Sequence, residues 1–244
     1  MGSLENKTVI VIGGTSGLGE SVAKRLVGKV KKLIVTGTNQ DALARMSKHI
    51  DTAGYTETLD LADEQSITAF AHIIAENNEQ DLVVLANAGI WLEGETAATE
   101  LEKIREVVSI DLIGHMQLTV AVLPIMQAQR QGHIIFVNSV AGLDYTPGNS
   151  FYSAAKFGLL GFAKTLQSEV INDNIKVTSF HPGGMNTDLF NRAGHEYGEA
   201  DWMMDKENIA EILMTIMAQP ENVLIDQMSI RTFPQNIVRY KEIG

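Results

Sequence analysis

A β-branched run, Lys7-Thr8-Val9-Ile10-Val11-Ile12, stops at Gly13-Gly14-Thr15-Ser16-Gly17-Leu18-Gly19 and gives way to apolar residues at helical spacing, Val22, Ala23, Leu26 and Val27. No other passage constrains the fold as much. A continuous apolar run of this length suits a strand buried on both faces, hence a parallel sheet. A strand, a glycine turn and a helix N-terminus together make a site for a pyrophosphate. Bare backbone lets the ligand approach, and the N–H groups and helix dipole favour negative charge. The glycines at 13, 17 and 19 read Gly-x-x-x-Gly-x-Gly, which differs from the Gly-x-Gly-x-x-Gly of the standard dinucleotide fingerprint. A glycine pattern alone is weak, but here a strand and a helix flank it.

The rest of the chain repeats the alternation. Strands are expected at 7–12, 32–36, 55–59, 81–86, 133–138, 175–180 and 224–230, and helices at 17–28, 40–50, 63–77, 99–128, 151–171 and 206–218. This implies an α/β fold: a Rossmann-like, doubly wound parallel sheet of about seven strands with helices on both faces and ligands at the carboxyl ends of the strands. There is no internal repeat, low-complexity tract or linker, and 244 residues suit one well-buried α/β core better than two. The expectation is one domain over residues 1–244 with a short substrate lid near 184–205.

Composition removes several function classes. A net charge of −11 and a pI near 5.0 oppose nucleic acid or an anionic membrane surface as partner. The absence of cysteine excludes disulfides, thiol catalysis and Cys-ligated zinc. The histidines show no His-x-His or His-Glu-x-x-His spacing, so no catalytic metal is expected. No signal peptide or membrane-length apolar run is read, which points to the cytoplasm. Met1-Gly2 begins like an acylation site, but Asn6 stands where Ser or Thr is required.

Tyr152 and Lys156 lie four residues apart in Phe-Tyr-Ser-Ala-Ala-Lys, with Ser139 upstream in Asn-Ser-Val-Ala-Gly. Residues i and i+4 share a helix face. A lysine there favours the phenolate and lowers the tyrosine pKa from its ordinary value of about 10. On its own, Tyr-x-x-x-Lys is common and more often an exposed helix face; a pocket has to be built beside it.

With these motifs assembled, the chain resembles the short-chain dehydrogenase/reductase family. The resemblance rests on Gly-x-x-x-Gly-x-Gly at 13–19, Asn87-Ala88-Gly89, Ser139 with Tyr152 and Lys156, and Pro182-Gly183 followed by Thr187, all in the family's order. It implies hydride exchange between a nicotinamide dinucleotide and a carbonyl or alcohol substrate. Ser139 and Tyr152 would polarise the carbonyl, Tyr152 would carry the proton, and Lys156 would hold the nicotinamide ribose and depress the tyrosine pKa. The cofactor wall would comprise Gly13, Thr15, Ser16, Gly17, Leu18 and Gly19, then Gly37, Thr38 and Asn39 after the second strand, and Asp60 and Leu61 at the adenine. Asn87, Ala88 and Gly89 would follow, with Tyr152 and Lys156, and finally Pro182, Gly183, Met185 and Thr187 at the nicotinamide amide. Asp60 reads equally well as a helix cap, and His181 reads as structural.

One position departs from the family. Asp111-Leu112-Ile113-Gly114 carries Asp where the resemblance implies an Asn that positions a proton-relaying water. Asp111 is retained as a fourth catalytic candidate: it would hold the same water, or bind Lys156 directly and blunt its effect on Tyr152. Cofactor choice is weakly encoded. Val35-Thr36-Gly37-Thr38-Asn39 has neither the acidic residue of NAD-preferring relatives nor the Arg of NADP-preferring ones. Room at Gly37 tilts the reading to NADP(H), with NAD(H) as the other choice. Phe190, Tyr197, Trp202, Met203 and Met204 are lid candidates for an apolar pocket, and Asp144 and Tyr145 candidates for another wall. The apolar helices at 99–128 and 151–171 point to a homodimer or homotetramer. A non-catalytic nicotinamide-binding regulatory or scaffold protein stays open as a second class.

Overall fold

In the computed structural model, which describes residues 2–50, 54–195 and 203–233, the strands are β1 (Thr8–Ile12), β2 (Lys32–Gly37), β3 (Tyr55–Thr58), β4 (Leu82–Ala86), β5 (Gly132–Val137), β6 (Ile175–Pro182) and β7 (Gln227–Ile230). All pair in parallel, in the order β3-β2-β1-β4-β5-β6-β7. The strand order reverses between β1 and β4. A crevice opens at such a switch point, beyond the carboxyl ends of the strands.

Alternation along each strand sends side chains to two separate cores. Ile10 and Ile12 of β1 join Phe136 and Val177 on one face, under α3 (Glu64–Glu76), α5 (Gly114–Gln129) and α6 (Ser150–Val170). Val9 and Val11 join Val35, Ile135 and Phe180 on the other, under α1 (Gly17–Leu26), α2 (Gln40–Ser47) and α8 (Lys206–Met217). The remaining helices are α4 (Leu101–Val108) and a single turn, α7 (Leu189–Arg192), in the lid segment, which the periodicity does not reveal. Tyr197 and Trp202, two of the expected lid residues, lie outside the described residues.

The helix expected over 99–128 is interrupted. Between α4 and α5, Ser109–Ile113 forms a π-helical turn. The rod Leu101–Gln129 contains an 18-residue stretch of mean hydropathy 1.5, apolar enough by length and composition alone to cross a membrane, which corrects the expectation that no such run exists. Its place in the layer accounts for part of that character, because Leu118, Val122 and Met126 pack into the core. Its outer side leaves Leu101, Ile113 and Val120 exposed, and Phe157 of α6 is exposed as well.

Candidate active site

The crevice at the switch point is a cavity of about 500 Å³. At one end lie Gly37, Thr38, Asp60 and Leu61; the glycine loop and Asn87-Ala88-Gly89 follow; Ser139, Tyr152, Lys156, Pro182, Gly183, Met185 and Thr187 complete the other end. Of the residues expected at the site, Gly19, Asn39 and Asp111 stand behind this wall. Asn39 caps α2, its Oδ1 accepting from the Ala42 N–H at 2.9 Å. Asp60 turns its carboxylate to its own loop, accepting from the Ala62 N–H at 2.9 Å, while Asp63 caps α3.

The glycine loop is close-packed from behind and open in front. Gly13 has φ +71°, and a Cβ there would sit 2.8 Å from Ala88 Cα. Gly19 lets α1 rest on the loop, since its Cβ would overlap the Gly13 carbonyl oxygen and lie 2.6 Å from Asn87 Nδ2. Asn87 joins the two strands at the switch point by donating from Nδ2 to the Gly13 carbonyl at 3.1 Å and from its N–H to the Ile12 carbonyl at 3.2 Å. Ser16 makes no capping bond to α1. The positive end of that helix therefore meets the cavity, where Ser16, Gly17 and Leu18 form part of the wall.

At the other end, β5 is stapled to α6. Asn138 donates from Nδ2 to the Lys156 carbonyl at 3.1 Å, and its Oδ1 accepts from the Ser139 N–H at 3.0 Å. His181 donates from Nδ1 to the Ser139 carbonyl at 2.9 Å, a structural role. Ser139 is thereby held beside the phenol of Tyr152, and its Oγ accepts from the Ala141 N–H at 3.1 Å. Lys156 Nζ lies 5.5 Å from the Tyr152 ring centre. Trp91, which the sequence reading passed over, covers the same ring with centroids 4.5 Å apart and meets Phe190 edge-on at 5.0 Å. Its place two residues past Asn-Ala-Gly, on the loop leaving β4, was the signal available. Asp144 and Tyr145 also line the cavity, Asp144 in an ion pair with Arg231.

Asp111 reaches Lys156 directly. Its Oδ1 is 3.4 Å from Nζ, both side chains are essentially inaccessible, and the Ile90 N–H donates to the same carboxylate at 3.1 Å. Burial pushes the Asp111 carboxyl up to about 6, against the Lys156 charge and the Ile90 N–H. Lys156 is raised too: burial lowers it, but Asp111 and Tyr152 outweigh burial. The expected depression of the Tyr152 pKa is not found. Burial raises it, Lys156 opposes, Asp111 adds to the rise, and the Ser139 side chain opposes. Spacing alone counts the lysine and misses burial and the Asp111 carboxylate, which outweigh it.

Fold and site thus define a doubly wound α/β protein with a cavity at the switch point of its sheet ending in a buried Ser, Tyr and Lys. A family model described as short chain dehydrogenase matches residues 7–198, and the chain belongs to that family of oxidoreductases. It is 36% identical over 209 residues to dehydrogenase/reductase SDR family member 7B of Mus musculus, covering 81% of this chain and 65% of that protein. It is also 27% identical over 239 residues to an uncharacterised oxidoreductase of Staphylococcus saprophyticus, covering 95% and 99%. Among solved structures, a serine dehydrogenase in its closed form complexed with NADP+ superposes with a TM-score of 0.85 at 25% identity, over 92% of this chain and 94% of that one. An alcohol dehydrogenase from Thermococcus sibiricus shares the fold with a TM-score of 0.84 at 20% identity, over 94% and 97%.

Proposed function

We propose that this protein is an NAD(P)(H)-dependent oxidoreductase acting on a small carbonyl or alcohol compound, with Ser139, Tyr152 and Lys156 as its catalytic set. The carrying observation is that these three side chains, from the end of β5 and the first turns of α6, are buried together at one end of a cavity that runs on past the glycine loop. Its volume, about 500 Å³, falls in the range of ligand sites, about 300–1,000 Å³. The chain fits a nicotinamide dinucleotide: Cβ atoms at Gly13, Gly14 or Gly37 would clash with their neighbours, so the loop keeps its backbone bare. Residues 13–18 would hold the pyrophosphate, Gly37, Thr38, Asp60 and Leu61 the adenosine, and Lys156, Pro182, Gly183, Met185 and Thr187 the nicotinamide riboside.

When bound, the dinucleotide supplies or accepts a hydride. The protein's part is to orient, to exclude water and to handle the proton. Ser139 offers its hydroxyl to the substrate oxygen, Tyr152 gives or takes the proton at Oη, and Trp91 and Phe190 close the site against solvent. NADP(H) is the favoured partner. The NADP+ complex of the similar serine dehydrogenase supports it, although the basic side chains of the wall, Lys156, Arg192 and Arg231, come from α6, the lid and the segment after β7 rather than from β2 or β3. The exposed Val120 and Phe157 support self-association through α5 and α6. The test is a screen of carbonyls and alcohols with wild type and Tyr152→Phe, beside calorimetric binding of both dinucleotides. Loss of turnover by about a hundredfold or more with binding retained is expected. Binding without Tyr152-dependent turnover would leave a regulatory or scaffold protein.

A further inference from the structure

The buried carboxylate of Asp111 stands where the resemblance to the family implies an Asn, and several features of the structure hold it in place. The π turn at Ser109–Ile113 rotates Asp111 inward, to no exposure at all. Single π turns of this kind are frequent at functional sites. Gly89 admits the carboxylate, since a Cβ there would overlap Asp111 Oδ1 and lie 3.5 Å from Lys156 Nζ. The Ile90 N–H donates to Oδ1 at 3.1 Å and faces Oδ2 at 3.4 Å. The carboxylate is thus held on the side of Lys156.

We propose that Asp111 is a positioning residue that neutralises Lys156 and so keeps Tyr152 protonated, suiting this protein to carbonyl reduction at neutral pH and moving alcohol oxidation to alkaline pH. The proposal rests on the Ser-Tyr-Lys reading above. An isolated ammonium favours the tyrosinate. Paired with Asp111 at 3.4 Å, it presents a dipole to the phenol instead, and a dipole's field falls off faster with distance. In reduction the carbonyl π bond breaks, its carbon receives the hydride of the reduced dinucleotide, and its oxygen receives the Tyr152 proton, which solvent restores. Oxidation needs the tyrosinate as base, and that species is scarce at neutral pH when the lysine is neutralised.

The other groups facing this cluster do not undo the balance. His115, one turn along from Asp111, donates from Nε2 to the Ala88 carbonyl at 2.9 Å and is neutral, its pKa pushed down to about 3 by burial and then by Lys156. His181, behind Ser139, is lowered chiefly by burial. Ser139 is uncharged, and Glu93 accepts from Trp91 Nε1 at 3.2 Å on the outer side of the indole. Asp111, at about 6, is ionised at neutral pH.

The test is an ultraviolet pH titration of the cofactor-free protein. The tyrosinate signal of Tyr152 is taken as the difference between each protein and its Tyr152→Phe counterpart, for wild type and for Asp111→Asn. Asp111→Asn is expected to lower the Tyr152 midpoint by one pH unit or more, a tenfold rise in tyrosinate at a given pH below it; a midpoint moved by less than a few tenths of a unit overturns the proposal. Should Asp111→Asn fail to fold, wild type decides alone. Its kcat/KM for reduction is expected to be flat through neutrality while that for oxidation climbs about tenfold per unit beyond pH 9, and an oxidation plateau by pH 8 overturns it. Full turnover in Tyr152→Phe would instead refute the Ser-Tyr-Lys reading, an outcome separate from either.

Discussion

Gly19→Ala puts the packing behind the cofactor cradle to the most direct test. A Cβ at Gly19 would overlap the Gly13 carbonyl oxygen and stand 2.6 Å from Asn87 Nδ2. Unstrained contacts need about 3.5 Å, so α1 has to withdraw by roughly 1 Å. Overpacking of this kind costs about 1–3 kcal/mol. Withdrawal also breaks the 3.1 Å bond from Asn87 to the Gly13 carbonyl, worth about 1 kcal/mol. The sum, roughly 2–4 kcal/mol, corresponds to a fall of about 1 M in the urea midpoint for an m-value near 3 kcal/mol/M. Because the helix N-terminus moves away from the cavity, calorimetry should also show dinucleotide binding at least tenfold weaker, about 1.4 kcal/mol. Gly28→Ala is the control: it has φ +70° and nothing within 4 Å, so it costs only the left-handed backbone, about 1–2 kcal/mol, and leaves binding unchanged. A Gly19→Ala protein with the wild-type midpoint and wild-type affinity would refute the packing argument.

Trp91→Ala removes two aromatic contacts, each worth about 0.5–1.5 kcal/mol, so a thermal melt should show a loss of about 1–3 kcal/mol. Substrate profiling of the same variant should show bulkier carbonyls gaining kcat/KM relative to small ones. Gly161→Ala, inside α6 with open space around it, should raise stability by about 0.5–1 kcal/mol in urea unfolding. Burial holds His115 and His133 at about 3, below the ordinary 6.5, so their contribution is complete above pH 6.5 and is lost as pH falls. Asp111, raised from 3.8 to about 6, acts in the opposite sense over that window, leaving one net proton of the three groups. His181, also lowered by burial, adds to the loss, so urea unfolding between pH 6 and 4 should lose at least about 1.4 kcal/mol per pH unit. His133→Gln, which keeps a partner for Thr178 at the position of the 2.8 Å bond, should flatten that slope by one proton.

Local pattern carried much of this protein. The β-branched runs and helical periodicities place all seven strands and the principal helices, because the signal for each element lies within a dozen neighbouring residues. Edges were less legible: β7 begins at Gln227 rather than 224, and α7 is a single turn. The glycine loop, Asn87, Ser139, Tyr152, Lys156 and Pro182-Gly183 were readable for the same reason, since each sits where a strand ends or a helix begins and the topology gathers those ends at one edge of the sheet.

Charge and cover in the site belong to the tertiary structure. Spacing shows Lys156 one turn from Tyr152, but the direction of the tyrosine pKa depends on desolvation and on a carboxylate forty-five residues before Lys156. Asp111 was visible as a departure, yet its contact with Lys156 required a π turn and the missing Cβ of Gly89, neither of which leaves a periodic trace. Trp91 packs at a tilt against Tyr152 because the loop leaving β4 folds over α6, a long-range contact. Sequence alone named the glycine loop, Ser139, Tyr152 and Lys156 as groups at the crevice. Only three-dimensional packing decided the charge state in which they meet, because electrostatic energy depends on distance and on exclusion of water.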